Sequence, residues 1–230
     1  WDRGFGLHCR IPSSRTHDQS EICVLEMPDK YKIHYRAWGE QRGKDVLLIL
    51  HGGMSHSGWL APLAEHLQMI SPDITVMASD RRGCGLNGQR GDLGSVQALI
   101  EDVVHQIEYL KRNFSRVHLV GWCQGAQYAS IAAGKIEDAL SSLILLAPGF
   151  LWNEKFRSVS SITEKTVIGI IGGFKLKPER DHACVPIPMV GSDFTHVDEW
   201  LDYIENDELK TTMVTLNSAS IMKEIQELSC

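Results

Sequence analysis

Gly121-Trp122-Cys123-Gln124-Gly125 is a five-residue pattern suited to nucleophilic chemistry. It lies between an apolar strand, residues 117–120, and a helical stretch rich in small residues, 126–134. That placement matches a nucleophile elbow, in which a sharp strand-to-helix turn lifts the nucleophile above the sheet. Here cysteine stands where serine is usual. Gly121 and Gly125 let neighbouring backbone approach the bend closely. A thiol is intrinsically more nucleophilic than a hydroxyl, and the positive end of a helix favours its thiolate form. Cys123 is therefore the candidate catalytic nucleophile.

Two other clusters sit at strand ends and are expected to meet this turn. His51-Gly52-Gly53 directly follows the apolar run Asp45-Val46-Leu47-Leu48-Ile49-Leu50. Backbone N–H groups placed just after such a strand and just after the nucleophile can hold a developing oxyanion, so Gly53 and Gln124 are the expected donors. His51 is read as support for that loop. Asp80-Arg81-Arg82-Gly83-Cys84-Gly85 closes the next strand and is read mainly as a loop-fixing ion network, with Arg82 as the candidate substrate contact. Met54 and Trp122, next to the oxyanion donor and the nucleophile, are the other expected substrate contacts. Cys84 reads as a small packing residue.

Several residues invite a sharper reading than their context supports. Gly83-x-Gly85-x-x-Gly88 follows a strand and matches a dinucleotide fingerprint. No helix opens at Gly88, however, and the region about 20 residues on is helical, so no nucleotide is expected. His182 and His196 could serve as a base and Glu154 as an acid, but they read as loop or helix-end residues. No cofactor and no metal are expected.

The elements that must position these groups alternate. Residues 21–27 and 32–38 read as strands around a Pro28-Asp29 turn. Residues 45–50, 73–78, 117–120 and 140–146 are short apolar runs of the kind buried on both faces of a parallel sheet. Residues 59–69 and 95–114 are helical by spacing. In the second, Val96, Leu99, Ile100, Val103, Ile107, Leu110 and Phe114 share a face, and Ser95 is the N-cap. The fold class is α/β, a mostly parallel sheet with helices on both faces. Beyond 149 the pattern changes. Thr195-His196-Val197-Asp198 suggests a capping box opening a helix through Ile204, and another helix covers 211–228. The expected organisation is a leader over 1–20, an α/β core over 21–149 and a helical cap over 150–230.

Composition limits the possible roles. The 230 residues are 43% apolar and 23% charged, ordinary for a globular protein with one substantial core. A formal charge of −6 argues against general nucleic-acid binding. No apolar run reaches the roughly 18 residues needed to span a bilayer. The six cysteines show no CxxC or zinc spacing, so reduced thiols and a cytoplasmic location are expected.

Taken together, the motifs resemble the α/β-hydrolase superfamily, nearest its lysophospholipase and monoacylglycerol lipase branch. The matching residues are His51-Gly52-Gly53, Asp80-x-Arg82-Gly83-x-Gly85 with Gln89-Arg90-Gly91, and Gly121-x-Cys123-x-Gly125. Asp193-Phe194-Thr195 and Trp200-Leu201-x-x-Ile204-x-Asn206-Asp207 extend the likeness into the cap. Cysteine at the elbow is shared with dienelactone hydrolases and polyester synthases, which this chain resembles there alone.

The resemblance implies an acyl-transfer enzyme. It would be an ester or thioester hydrolase or an acyltransferase, working through an acyl-cysteine on an apolar or carrier-bound acyl group. It also implies the order nucleophile, acid, histidine, with the last two carried by two more strand–helix units, about 60 residues at roughly 30 per unit. These are expected on a second polypeptide, a cleaved C-terminal piece or a separately encoded subunit in a heterodimer, or else on a further stretch of the same chain. The alternatives are a lyase or cyclase on this scaffold in a biosynthetic pathway, and a non-catalytic pseudo-hydrolase that binds a ligand or protein.

Overall fold

The computed structural model describes residues 20–40, 42–136, 138–150, 184–187 and 189–229. Strands β1 (Glu21–Glu26) and β2 (Lys32–Trp38) form an antiparallel hairpin. Strands β3 (Gly43–Leu50), β4 (Ile74–Ser79), β5 (Phe114–Trp122) and β6 (Ser142–Leu146) run parallel to one another. The sheet order is β1-β2-β4-β3-β5-β6, and β2 alone runs against its neighbours. The crossovers are helical: α1 (Ala61–Ile70) links β3 to β4, α2 (Val96–Leu110) links β4 to β5, and α3 (Gln124–Lys135) links β5 to β6. This is the α/β-hydrolase arrangement, with strands β3, β4 and β5 ending together at one edge of the sheet.

Period-two alternation along the strands explains both layers. Val46, Leu48 and Leu50 of β3 face one apolar cluster, while Ile49 faces the other. The larger cluster holds Leu99, Ile100, Val103 and Ile107 of α2 and Tyr128, Ala129 and Ala132 of α3. The smaller holds Ala61 and Ala64 of α1 against Val76, Ala78 and Val120. Strands sandwiched this way can be apolar throughout, as β3 and β4 are.

Helix α2 begins as its sequence indicates, with the Ser95 hydroxyl accepting the Ala98 N–H at 3.1 Å. It stops at Leu110, and Phe114, expected to end its apolar face, opens β5 instead after a turn at 111–113. The expected capping box at Thr195 does not start a helix. Thr195 Oγ1 accepts the Val197 N–H, and the helix, α4 (Asp198–Glu205), begins one residue later.

Residues 151–183, with Glu154 and His182, lie outside the described set, as does the leader to Gln19. Within the rest of the expected cap, β7 (Cys184–Pro186) and β8 (Met213–Thr215) pair antiparallel, strands that the sequence does not announce. The last helix, α5 (Leu216–Ser229), was assigned to the cap by sequence. It buries Ile221 and Ile225 in the same cluster as α2 and α3. No helix among the described residues is long and apolar enough to cross a membrane.

Because Ile225 is fully buried, Ile225→Ala should cost about 2–5 kcal/mol of global stability. Urea denaturation of wild type and variant measures this. An unchanged midpoint would mean that α5 is not part of the cooperative core.

Candidate functional site

The chain leaves β5 and enters α3 through Cys123, whose backbone sits at φ 53° and ψ −115°. A non-glycine residue at such dihedrals carries strain of about 1–3 kcal/mol and persists only where its surroundings hold it. Here they do. The Cys123 N–H donates to Leu146 O at 2.9 Å, and its carbonyl accepts from Gly149 N at 3.0 Å and Ala126 N at 3.1 Å. Gln127 Nε2 donates to Gly149 O at 2.6 Å, tying the end of β6 to the helix. A Cβ on Gly125 would collide with the backbone oxygens of Leu50 and His51, so glycine there lets α3 close against β3. The thiol-bearing residue is half-buried.

The loop after β3 lies directly beside this turn. A Cβ on Gly52 would lie 3.3 Å from Cys123 Cβ, and one on Gly53 would lie 3.6 Å from Gln124 Oε1. Gly53 and Gln124, the two residues expected to donate to an oxyanion, are thus neighbours beside Cys123. Among the described residues neither the Gly53 nor the Gln124 N–H has an acceptor.

His51 supports the loop. It is fully buried, its Nε2 accepts the Arg81 N–H at 3.0 Å, and Nδ1–H therefore donates to Gly52 O at 2.9 Å. Burial first, and the Arg81 charge second, hold its pKa well below the ordinary imidazole value, so it stays neutral at pH 7. The side chain of Arg81 completes the arrangement. Nη1 donates to Gln124 Oε1 at 2.8 Å, and Nη2 to Gly52 O at 2.6 Å and Gly53 O at 3.1 Å.

The strand-end cluster is not one ion network. Asp80 accepts backbone N–H groups, from Ser57 at 2.7 Å and Leu86 at 2.8 Å, and so binds two loops together. Arg82, expected to contact substrate, is not brought to Cys123. Its guanidinium is held by Asp102 at 2.7 Å and Asp29 at 2.8 Å and stacks 4.1 Å over the Tyr31 ring. Cys84 is buried against Arg81 Nη2, as a packing residue. Gly83 and Gly85 adopt positive φ and pack where a Cβ would strike Asp92 and Asp80, so each has a local structural reason.

Trp122, the neighbour of Cys123, belongs to an aromatic wall that the sequence largely leaves unannounced. Trp122 meets Phe194 edge-on at 6.3 Å, and Phe194 meets Trp59 at 5.2 Å. Met189 packs against Gly53, and Met54 is buried beneath, its carbonyl accepting the Thr211 N–H at 2.9 Å. A second tether joins this region to the loop: His56 Nε2–H donates to Asp207 Oδ2 at 2.8 Å, and Trp59 Nε1–H donates to the same oxygen at 2.5 Å. Burial, the largest single influence, would raise the Asp207 pKa, but its interactions with His56, Trp59 and the Leu209 N–H together outweigh it, and the carboxyl titrates below its usual value. His56 Nδ1 accepts the Gly58 N–H at 3.0 Å, so both ring nitrogens are engaged. His196 is exposed on the surface. Among the described residues no histidine and no carboxylate hydrogen-bonds to Cys123. Phe194 stands inside the Asp193-Phe194-Thr195 stretch, a signal available in the sequence; Trp59 and Met189 had none.

Residues 41–227, which include the strained strand-to-helix turn and the Gly-Gly loop beside it, match a known family described as serine aminopeptidase, S33. The chain belongs to this family. Monoacylglycerol lipase abhd6-B of Xenopus laevis is 26% identical over 141 residues, which cover 59% of this chain and 41% of that protein. The chain spans less than half the length of the curated relatives it matches. A soluble variant of monoglyceride lipase from Saccharomyces cerevisiae, in complex with a substrate analog, superposes with a TM-score of 0.70 at 13% identity, covering 95% of this chain and 70% of that one. The monoacylglycerol lipase of Paleococcus ferrophilus gives 0.66 at 17% identity, covering 86% and 71%. These likenesses show the α/β-hydrolase fold. Within this serine aminopeptidase S33 member the elbow residue is cysteine.

The strain at the elbow is measurable without any substrate. Cys123→Gly should be more stable than Cys123→Ala by roughly 1 kcal/mol, since glycine alone adopts the dihedrals freely. Chemical denaturation compares the two. A more stable alanine variant would mean that the turn is relaxed.

Proposed function

We propose that the chain carries the nucleophile and oxyanion hole of an acyl-transfer enzyme, an ester or thioester hydrolase or an acyltransferase. The observation that carries this reading is Cys123 at φ 53°, with the Gly53 and Gln124 N–H groups beside it. The thiolate sulfur attacks the substrate carbonyl carbon, forming the S–C bond as the π pair moves onto oxygen. The two N–H groups stabilise that oxyanion. Collapse expels the alcohol or thiol, which takes up the proton that a base removed from Cys123. Water or an acceptor then attacks the acyl-cysteine in the same way and releases the thiolate.

The wall of Trp59, Trp122, Phe194 and Met189 favours an apolar acyl group, consistent with relatives named as monoacylglycerol lipases. The base and its acid are assigned to polypeptide outside the described residues, because the nitrogens of His51 and His56 are already engaged. Among the described residues no strand pairs with the outer edge of β6, which favours a further segment there. Leu143, Ile144 and Leu146 are 39%, 40% and 38% exposed, although strands of such sheets are normally covered on both faces.

Incubating the protein with a p-nitrophenyl alkanoate, followed by peptide mass mapping, tests the reading. An acyl adduct on Cys123, absent in Cys123→Ala, is expected. If the fully assembled protein forms no adduct, the acyl-cysteine reading fails and a non-catalytic, ligand-binding role takes its place.

A further inference from the structure

Arg81 is a buried cation without a counter-ion among the described residues. It is 6% exposed, no carboxylate pairs with it among the described residues, and its Nε–H has no acceptor there. Its guanidinium sits 4.9 Å from the centre of the buried Tyr128 ring. Burying an unpaired charge costs several kcal/mol, and a well-packed apolar side chain would hold a loop at less cost. The neighbouring Arg82, by contrast, has two carboxylates.

What Arg81 does contact is specific. Its three short hydrogen bonds go to Gly52 O, Gly53 O and Gln124 Oε1. Those acceptors belong to the two arms of the oxyanion hole. The Gly52 carbonyl and the Gly53 N–H are the two ends of one trans peptide unit and point in opposite directions. Fixing that carbonyl on Nη2 therefore aims the Gly53 N–H away from Arg81, and hydrogen bonding to a cation polarises it further. The bond to Gln124 ties the first residue of α3, which provides the other N–H, to the same planar group. His51, accepting the Arg81 N–H and donating to Gly52 O, locks the loop from the other side. A guanidinium spans three acceptors at fixed angles, which an ammonium cannot do.

We propose that Arg81 is a positioning residue for acyl transfer at Cys123, clamping the two oxyanion-hole donors to one another and placing an uncompensated positive charge behind them. This rests on the acyl-cysteine reading and adds to it the group that preorganises the hole.

The test separates formation of an oxyanion from simple reaction of the thiol. Acylation by a p-nitrophenyl alkanoate passes through an oxyanion; alkylation by iodoacetamide does not. Arg81→Met should slow acylation of Cys123 by about 10²-fold, the size of losing one oxyanion-hole donor, with alkylation at the same pH essentially unchanged. Arg81→Lys should recover only part of the loss. A parallel fall in both rates, or acylation at the wild-type rate, overturns the proposal. If wild type is alkylated but never acylated, the acyl-cysteine reading itself fails, and the proposal with it. Should Arg81→Met lack a cooperative unfolding transition, Gln124→Met decides. It removes one of the three contacts and keeps the backbone donor, and an unchanged acylation rate in it overturns the proposal.

Discussion

At Cys123 the backbone passes from strand to helix through dihedrals that an L-residue resists, and much of the sheet edge is arranged to keep it there. Leu146 and Gly149 from the neighbouring strand end hold its N–H and carbonyl. Gly125 allows α3 to lie against the last carbonyls of β3. That contact brings the Gly52-Gly53 loop within van der Waals distance of Cys123. The constraint is thus steric before it is electrostatic: close approach of α3 to β3 sets the turn, and the proposed oxyanion hole depends on that turn.

Charge is then distributed around that geometry with little waste. Asp80 is spent on two backbone N–H groups and braces the loops after β3 and β4. Arg82 is neutralised by Asp29 and Asp102 on the far side. His51 is buried and neutral, acting as a fixed donor–acceptor pair. Arg81, at the centre, has no carboxylate partner among the described residues, and under the proposed mechanism an anionic intermediate would balance its charge. Electrostatic preorganisation of this kind stabilises a transition state because the dipoles and charges need no rearrangement when the reaction occurs.

Much of the fold was legible because its signals are local. The apolar runs that became β3 to β6 are contiguous, and the motifs at three strand ends are a few residues long. The sharp strand-to-helix turn at Cys123 and the Gly52-Gly53 loop beside it fall in this class. The rest depends on contacts between distant segments. Arg81 and Arg82 are adjacent and chemically alike, and only partners distant in sequence, Gln124 for one and Asp29 and Asp102 for the other, give them different tasks. The His56–Asp207 pair spans 151 positions. Helix α5 has the pattern of any amphipathic helix, and nothing in its spacing says that Ile221 and Ile225 join the main core.

The central claim is that the Gly53 and Gln124 N–H groups, held by Arg81, receive the carbonyl oxygen of an acyl-Cys123. Isotope-edited infrared difference spectroscopy on the protein acylated with a ¹³C-carbonyl ester reports this directly. The account predicts a carbonyl band shifted below that of the same thioester in water, as two strong donors polarise the bond. A band at the frequency of the free thioester would place the carbonyl outside the hole and contradict the account.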